Sequence, residues 1–186
     1  MSIFKLHDVN SAPADSKALL EGVQKKFGFI PNLMKVFAES PVALQAYGAV
    51  SEILEKSSFS PVERQLVLLA VSYANNCEYC VSVHSMISKN TPGVDKQDVE
   101  KLRQGEPLTN KKLDTLVQFT KQLVSERGFV SDTEQKKFLN AGYTSQNVLE
   151  ILVAIGLKTI SNYTNHLAQT PLDEAFQSEK WTVKSN

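Results

Sequence analysis

Apolar positions recur along this chain at spacings of three and four, the signature of helices that pack on one face. Residues 13–26 set Leu19, Leu20 and Val23 in line with Phe27, and Gly28 ends the pattern. Phe29-Ile30-Pro31-Asn32 reads as a turn into a short helix over 33–38. Ser40-Pro41 pairs a cap with a proline at the first helical position, opening a helix to about residue 56. Ser60-Pro61-Val62-Glu63 repeats that start and adds a capping box through Glu63. The next stretch, Leu66 to Val71, is apolar all round, so this helix is expected at the centre. Asn75-Asn76 reads as a break, and a helix over 77–88 follows it. Further helices are predicted over 95–103, 109–127, 132–140 and 144–166, the last apolar from Val148 to Leu157, before a short turn at Thr170-Pro171. No segment alternates at period two and no hairpin dipeptide separates apolar runs. The pattern therefore predicts an all-α fold of about eight to ten helices. It forms one domain over 1–186, with 1–12 and 178–186 loose.

A chain of 186 residues suits a single core. Lys+Arg and Asp+Glu number 20 each, so the net charge is zero, which argues against nucleic acid or an anionic membrane as a partner. The N-terminus shows no apolar signal segment, and the longest apolar run, 151–157, is too short to span a bilayer. These features predict a soluble, cytoplasmic protein.

Candidate chemistry concentrates in Asn75-Asn76-Cys77-Glu78-Tyr79-Cys80-Val81-Ser82-Val83-His84, which holds both cysteines of the chain. On a helix, Cys77, Cys80 and His84 are related by i+3, i+4 and i+7 and share a stripe. Two thiols beside an imidazole suit a dithiol whose thiolate is made by a neighbouring base. Two plainer readings stand beside this one: inert buried thiols, or part of a zinc site. Zinc needs four ligands or three with an open position, and no second CxxC or HxxxH accompanies this one. Tyr79 is either a substrate-facing donor or a core aromatic, and Glu78 suits the start of a helix. Glu63 is accounted for by its capping box. Apolar neighbours at 66–71, Val81 and Val83 would suit an organic hydroperoxide or a lipoyl-type disulfide better than a sugar.

Glu63 followed by an apolar helix and then Asn76-Cys77-Glu78-Tyr79-Cys80-Val81-Ser82-Val83-His84 resembles the core of the carboxymuconolactone decarboxylase and alkyl hydroperoxidase D (AhpD) family. Gly28-Phe29-Ile30-Pro31-Asn32 with Ser40-Pro41 resembles the N-terminal part of its peroxidase-related branch. Asn162-Tyr163-Thr164-Asn165-His166 and Pro171-Leu172-Asp173-Glu174-Ala175-Phe176 resemble its C-terminal part. The resemblance implies an all-helical subunit assembled into trimers or hexamers. It also implies a thiol-dependent hydroperoxide reductase or disulfide reductase without metal or organic cofactor. Carried over, Cys80 attacks the peroxide, Cys77 resolves the sulfenic acid, and His84 and Glu63 relay protons. The reductant is an external dithiol, lipoyl or thioredoxin-like. The chain departs from AhpD in having Tyr79 where a second histidine is expected, and in its glutamate-to-cysteine spacing. Decarboxylase members lack the cysteine pair. Helix-dipole physics alone would instead favour Cys77 as the low-pKa thiol, since it lies nearer the N-terminal end. The alternatives are a metal-stabilised helical module without turnover, or a decarboxylase-like enzyme acting on a muconolactone-type substrate.

Overall fold

A computed structural model describes residues 3–183. Within them lie nine α-helices: α1 Ala14–Phe27, α2 Asn32–Phe37, α3 Pro41–Leu54, α4 Pro61–Ala74, α5 Glu78–Asn90, α6 Lys96–Gln104, α7 Lys111–Ser125, α8 Asp132–Asn140 and α9 Ser145–Ala168. A 3₁₀ helix, Glu174–Glu179, follows, and no strand forms among the described residues.

The starts follow the cap chemistry. Ser40, Ser60, Ser131 and Thr144 accept the amide three residues on, and Ser60–Glu63 closes a full capping box. Two starts differ from expectation. Helix α7 starts at Lys111 and not at 109, because Asn110 caps it, its side chain accepting from the amides of both Lys112 and Leu113. Cys77 lies outside α5 as its N-cap, in extended backbone, because Asn76 at φ 54° turns the chain just before it.

Helix α4 is the hub. Val67, Leu68 and Val71 face one cluster with Phe119, Phe138 and Ile151. Leu66, Leu69 and Ala70 face another with Val81, Val99, Leu102 and Val117. Burial on two sides explains why this run carries no polar stripe. A third cluster gathers Leu20, Leu33, Phe37 and Leu44 around Cys77, Tyr79 and Cys80. The apolar run of α4 is thus used up inside the chain. Helix α9 instead leaves Leu149, Leu152, Val153, Tyr163 and Leu167 exposed along one side.

The terminal segments expected to be loose make tertiary bonds where they are described. His7 Nε2 meets Glu39 at 2.7 Å, and its Nδ1 meets the Ser11 carbonyl. Trp181 donates its indole N–H to the Arg103 carbonyl and its amide to Ser82. Residues 1–2 and 184–186 of those segments lie outside the described residues. No helix among the described residues is long and apolar enough to cross a membrane.

Phe138 is fully buried and stacks between Phe119 (4.2 Å between centroids) and Tyr143 (4.7 Å). Phe138→Ala should destabilise the fold by about 3–5 kcal/mol, read as a lowered midpoint in urea unfolding at unchanged slope.

Candidate active site

The two thiols are free, buried and close together at the start of α5, against the inner face of α9. That face explains the site. Ile151, Ala154 and Leu157 point inward in the first half of α9, and the same phase then brings in Lys158, Ser161, Asn162 and Asn165. The interior stripe turns from apolar to polar where it reaches the cysteines. Asn165 Nδ2 donates to Cys80 Sγ at 3.2 Å and lies 3.8 Å from Cys77 Sγ. Asn75 Nδ2 donates to Asn162 Oδ1 at 2.9 Å, and the Asn162 amide N–H₂ is buried near the cysteines without a hydrogen-bond partner among the described residues.

Lys158 is the centre of this cluster. Its residue is 1% exposed. Its Nζ lies 2.9 Å from His84 Nε2 and against the Cys80 thiol. An ammonium only donates, so His84 Nε2 accepts and the ring proton sits on Nδ1, 3.4 Å from Gln65 Oε1. Burial and the Lys158 charge both push the His84 pKa well down, so the ring is neutral. Burial alone would raise the Cys80 pKa. The Cys77 thiol, the Lys158 charge and the Asn162 amide outweigh it and bring Cys80 down to about 5. The hydrogen bond to Cys80, with burial, pushes Cys77 the other way. Lys158 in turn is held charged against burial by Cys80 and Tyr47.

The residues singled out in the sequence divide into two groups. Cys77, Cys80 and His84 come together, with Lys158 rather than a direct thiol–imidazole bond joining the last two. Glu63 does not join them. Its carboxylate accepts from the Ser60 amide and hydroxyl at 3.0 and 2.8 Å and faces Lys112 at 3.6 Å. Burial works against its charge, yet the Ser60 bonds keep its pKa below the usual value. The side chain on α4 that reaches His84 is Gln65, two residues further on. Lys158, Asn162 and Asn165 had a sequence signal that the reading passed over. They are polar positions at helical spacing that continue an inward apolar face without a change of phase.

Tyr79, placed where a motif histidine was expected, is buried and locked. Its hydroxyl donates to Asp173 Oδ2 at 2.6 Å and accepts from the Leu33 amide at 3.3 Å. Asp173 also takes the Asn32 amide at 3.0 and 3.2 Å, so one carboxylate ties α2 and the C-terminal segment to the CxxC. Burial, and then Asp173, push the Tyr79 phenol pKa up, so it stays a donor.

A cavity of about 390 Å³ opens beside His84, lined mainly by apolar side chains, among them Phe29, Leu33, Met34, Ile87 and Phe176. Of the 66–71 run, Leu68 alone lines it. Tyr47, Gln65 and His84 supply polar atoms on its inner side. Both ring nitrogens of His84 are engaged elsewhere, so Cys77, Cys80 and His84 do not converge on one point as zinc ligands would. No group of three His, Cys, Asp or Glu side chains suited to a metal occurs among the described residues.

Three solved structures share the fold. An uncharacterized peroxidase-related protein with an alkylhydroperoxidase AhpD core from Ralstonia eutropha JMP134 has a TM-score of 0.80 at 20% identity, covering 94% of each chain. Another peroxidase-related protein, from Silicibacter sp. TM1040, gives 0.78 at 21% identity over 94% of this chain and 92% of that one. The debrominase Bmp8, as a cysteine-to-alanine variant in complex with 2,3,4-tribromopyrrole, gives 0.76 at 17% identity over 96% of this chain and 97% of that one. At these identities the likeness speaks for the fold. No curated protein sequence matches the chain. Residues 41–108, from α3 through the CxxC helix, match the model of the carboxymuconolactone decarboxylase family. The chain thus has an AhpD-like helical fold, and its cysteine-bearing segment matches the carboxymuconolactone decarboxylase family model.

Proposed function

We propose that the protein is a thiol-dependent reductase of organic hydroperoxides, with Cys80 attacking and Cys77 resolving. The observation that carries this reading is the buried Lys158 ammonium against Cys80, which favours a thiolate at neutral pH beside a protonated Cys77. The Cys80 thiolate attacks the terminal peroxide oxygen, the O–O bond breaks, and the alkoxide leaves. His84 lines the cavity and gives its Nδ1 proton to the alkoxide while Nε2 takes one from Lys158. Cys77 then attacks the sulfenic sulfur and water leaves, forming the disulfide. An external dithiol returns two electrons and two protons, one to Cys77 and one to Lys158. In this reading Lys158 takes the place in the relay that the family resemblance gave to Glu63.

The apolar lining suits an alkyl hydroperoxide over a sugar or a charged substrate. A debrominase shares the fold, so the helical frame by itself does not set the substrate. The same proposal places the enzyme in the reducing cytoplasm and makes it a homo-oligomer, trimer or hexamer. The exposed stripe Leu149, Leu152, Val153, Tyr163 and Leu167 on α9 would be its interface. A monomeric mass by light scattering at micromolar concentration would count against self-association.

Cumene hydroperoxide should convert two free thiols per chain to none, with loss of two hydrogens in mass and no intermolecular crosslink. Cys80→Ser should abolish peroxide consumption. Cys77→Ser should still form a sulfenic acid that dimedone traps. An unchanged thiol count after peroxide would overturn the reading.

The site's electrostatics yield a separate expectation. Iodoacetamide labelling of Cys80, followed against pH by peptide mass spectrometry, should inflect near 5 in the native protein. In Lys158→Met the inflection should rise past an ordinary thiol value, about 8.5. Glu63→Gln should leave the profile in place and cost less than about 1 kcal/mol of stability, since glutamine also completes a capping box. A profile moved by Glu63→Gln and not by Lys158→Met would return the relay to Glu63.

A further inference from the structure

One wall of the apolar cavity beside His84 comes from outside the α-helices. Phe176, in the 3₁₀ helix Glu174–Glu179, lines it together with Phe29 from the turn before α2. Their ring centroids lie 6.0 Å apart at an interplanar angle of 52°. Rings at that separation are already in contact, so no substrate group fits between them and the pair acts as a barrier. Among the described residues, neither ring belongs to any of the three core clusters. Their apolar surface is spent on each other and on the cavity.

The segment that carries Phe176 is fastened on both sides of it. Ahead of Phe176, Leu172 packs on the cluster around the cysteines, and Asp173 takes the Tyr79 hydroxyl and the Asn32 amide. Beyond it, Glu179 receives Lys89 Nζ on both carboxylate oxygens at 2.7 Å and Arg103 Nη1 at 3.3 Å. Arg103 also donates to the Glu179 and Lys180 carbonyls, at 3.1 and 3.3 Å. Glu100 closes the network by pairing with both Lys89 and Arg103. Trp181 then packs against Tyr73, 5.8 Å between centroids, at the edge of the cluster of Val81, Val99 and Leu102. The Glu179 and Arg103 side chains are only 14% and 11% exposed, so either would be a poorly solvated charge without the other. No residue of the 3₁₀ helix is itself buried. Between the two fastenings Phe176 is the one large apolar side chain, and it lines the cavity.

We infer that Phe176 is the size-selecting wall of the cavity, held there by the Lys89–Glu179–Arg103 network, so that oxidants slim around the peroxide-bearing carbon pass and broad ones are refused. That hydroperoxides are the molecules selected rests on the reading proposed above; the wall itself does not. A wall excludes only if it cannot yield. A ring on an otherwise free segment would swing aside at the cost of a few exposed contacts. Here, swinging Phe176 out means breaking charge-assisted bonds that are shielded from water, or the Tyr79–Asp173 bond. Phe176 thus decides which molecule fits, while Cys80, Lys158 and His84 keep the chemistry.

The test labels Cys80 with maleimides of graded width, so that it does not depend on hydroperoxide turnover. Rates are followed at Cys80 by peptide mass spectrometry in the native, reduced protein. Phe176→Ala should raise the rate for N-phenylmaleimide relative to N-methylmaleimide by at least about tenfold. Phe176→Leu, which refills most of the space, should keep most of the wild-type discrimination. Glu179→Ala, which unfastens the segment without altering a lining side chain, should relax the ratio in the same direction as Phe176→Ala. Trp181 is the only tryptophan of the chain, so its emission reports whether the segment is docked. That emission should stay in place in Phe176→Ala and move to longer wavelength in Glu179→Ala. An unchanged maleimide ratio in Phe176→Ala overturns the inference. So does a shifted Trp181 emission in that variant, which would make Phe176 a peg for the segment and not a wall of the cavity. A shifted emission in Glu179→Ala with the wild-type ratio overturns the part given to the ion network. The kcat/KM ratio of cumene over tert-butyl hydroperoxide should rise in Phe176→Ala alongside the maleimide ratio, and a hydroperoxide ratio that stays put overturns the selecting role. If the maleimide ratio rises and neither hydroperoxide is consumed by either protein, the wall stands and the oxidant was misassigned.

Discussion

A lysine ammonium buried with 1% of its surface exposed is the constraint around which this molecule is arranged. Removing that charge from water costs several kcal/mol unless opposite charge and hydrogen bonds replace the solvent. Lys158 finds the Cys80 sulfur, His84 Nε2 and the neighbourhood of Tyr47. Each side of the arrangement requires the other. Without the lysine, a buried thiol would stay protonated; without a thiolate, the lysine would be an unpaired interior charge. The pair therefore ties the middle of α9 to the first turn of α5 electrostatically, where elsewhere in the chain apolar contact does that work.

The histidine changes role once this constraint is recognised. Spacing on one helix made His84 the base for Cys80, one turn away. In the folded chain its acceptor nitrogen is occupied by Lys158, and its donor nitrogen faces Gln65. On the proposed reading it moves a proton as a link between the lysine and the cavity, not as the group that ionises the thiol. Tyr79, by contrast, is fixed by Asp173 and the Leu33 amide. A residue that first reads as a missing histidine thus becomes a structural tie between α2, the C-terminal segment and the CxxC.

Much of this was legible along the chain, and the reason is locality. Helix starts at Ser40, Ser60, Ser131 and Thr144 are written in four-residue windows, and α4's double-sided burial is written in its unbroken apolar run. The cysteine pair and His84 were legible because one short stretch carries them all. The other half of the site was legible only as polar positions on the inward phase of α9, not as partners of the cysteines, because Lys158 and Asn165 meet His84, Cys77 and Cys80 across 74 to 88 residues of sequence. No spacing rule spans that distance. The position of Glu63 was illegible for a related reason. The role the resemblance implied would need it near His84, but a capping box and Lys112 occupy both its oxygens, and Gln65 is the α4 side chain that reaches the imidazole.

The different backbones of the two cysteines complete the argument. Cys80 is the third residue of α5, held by the helix and by donors from α9. Cys77 is the cap, extended at φ −88° and ψ 96°, and it follows a residue in the left-handed region. When the disulfide forms, one partner must move to bring the sulfurs to bonding distance. Moving Cys80 would break its contacts with Asn165 and Lys158 and strain a helical turn. Moving Cys77 changes only cap torsions and the turn at Asn76. On the proposed reading, attack falls to the sulfur whose thiolate Lys158 favours, and resolution to the one on the more adjustable cap backbone. That division opposes the simplest helix-dipole expectation, which favoured Cys77. It does so because a full positive charge from α9 acts on Cys80 at close range, whereas the dipole offers both thiols of the first turn a similar, weaker field.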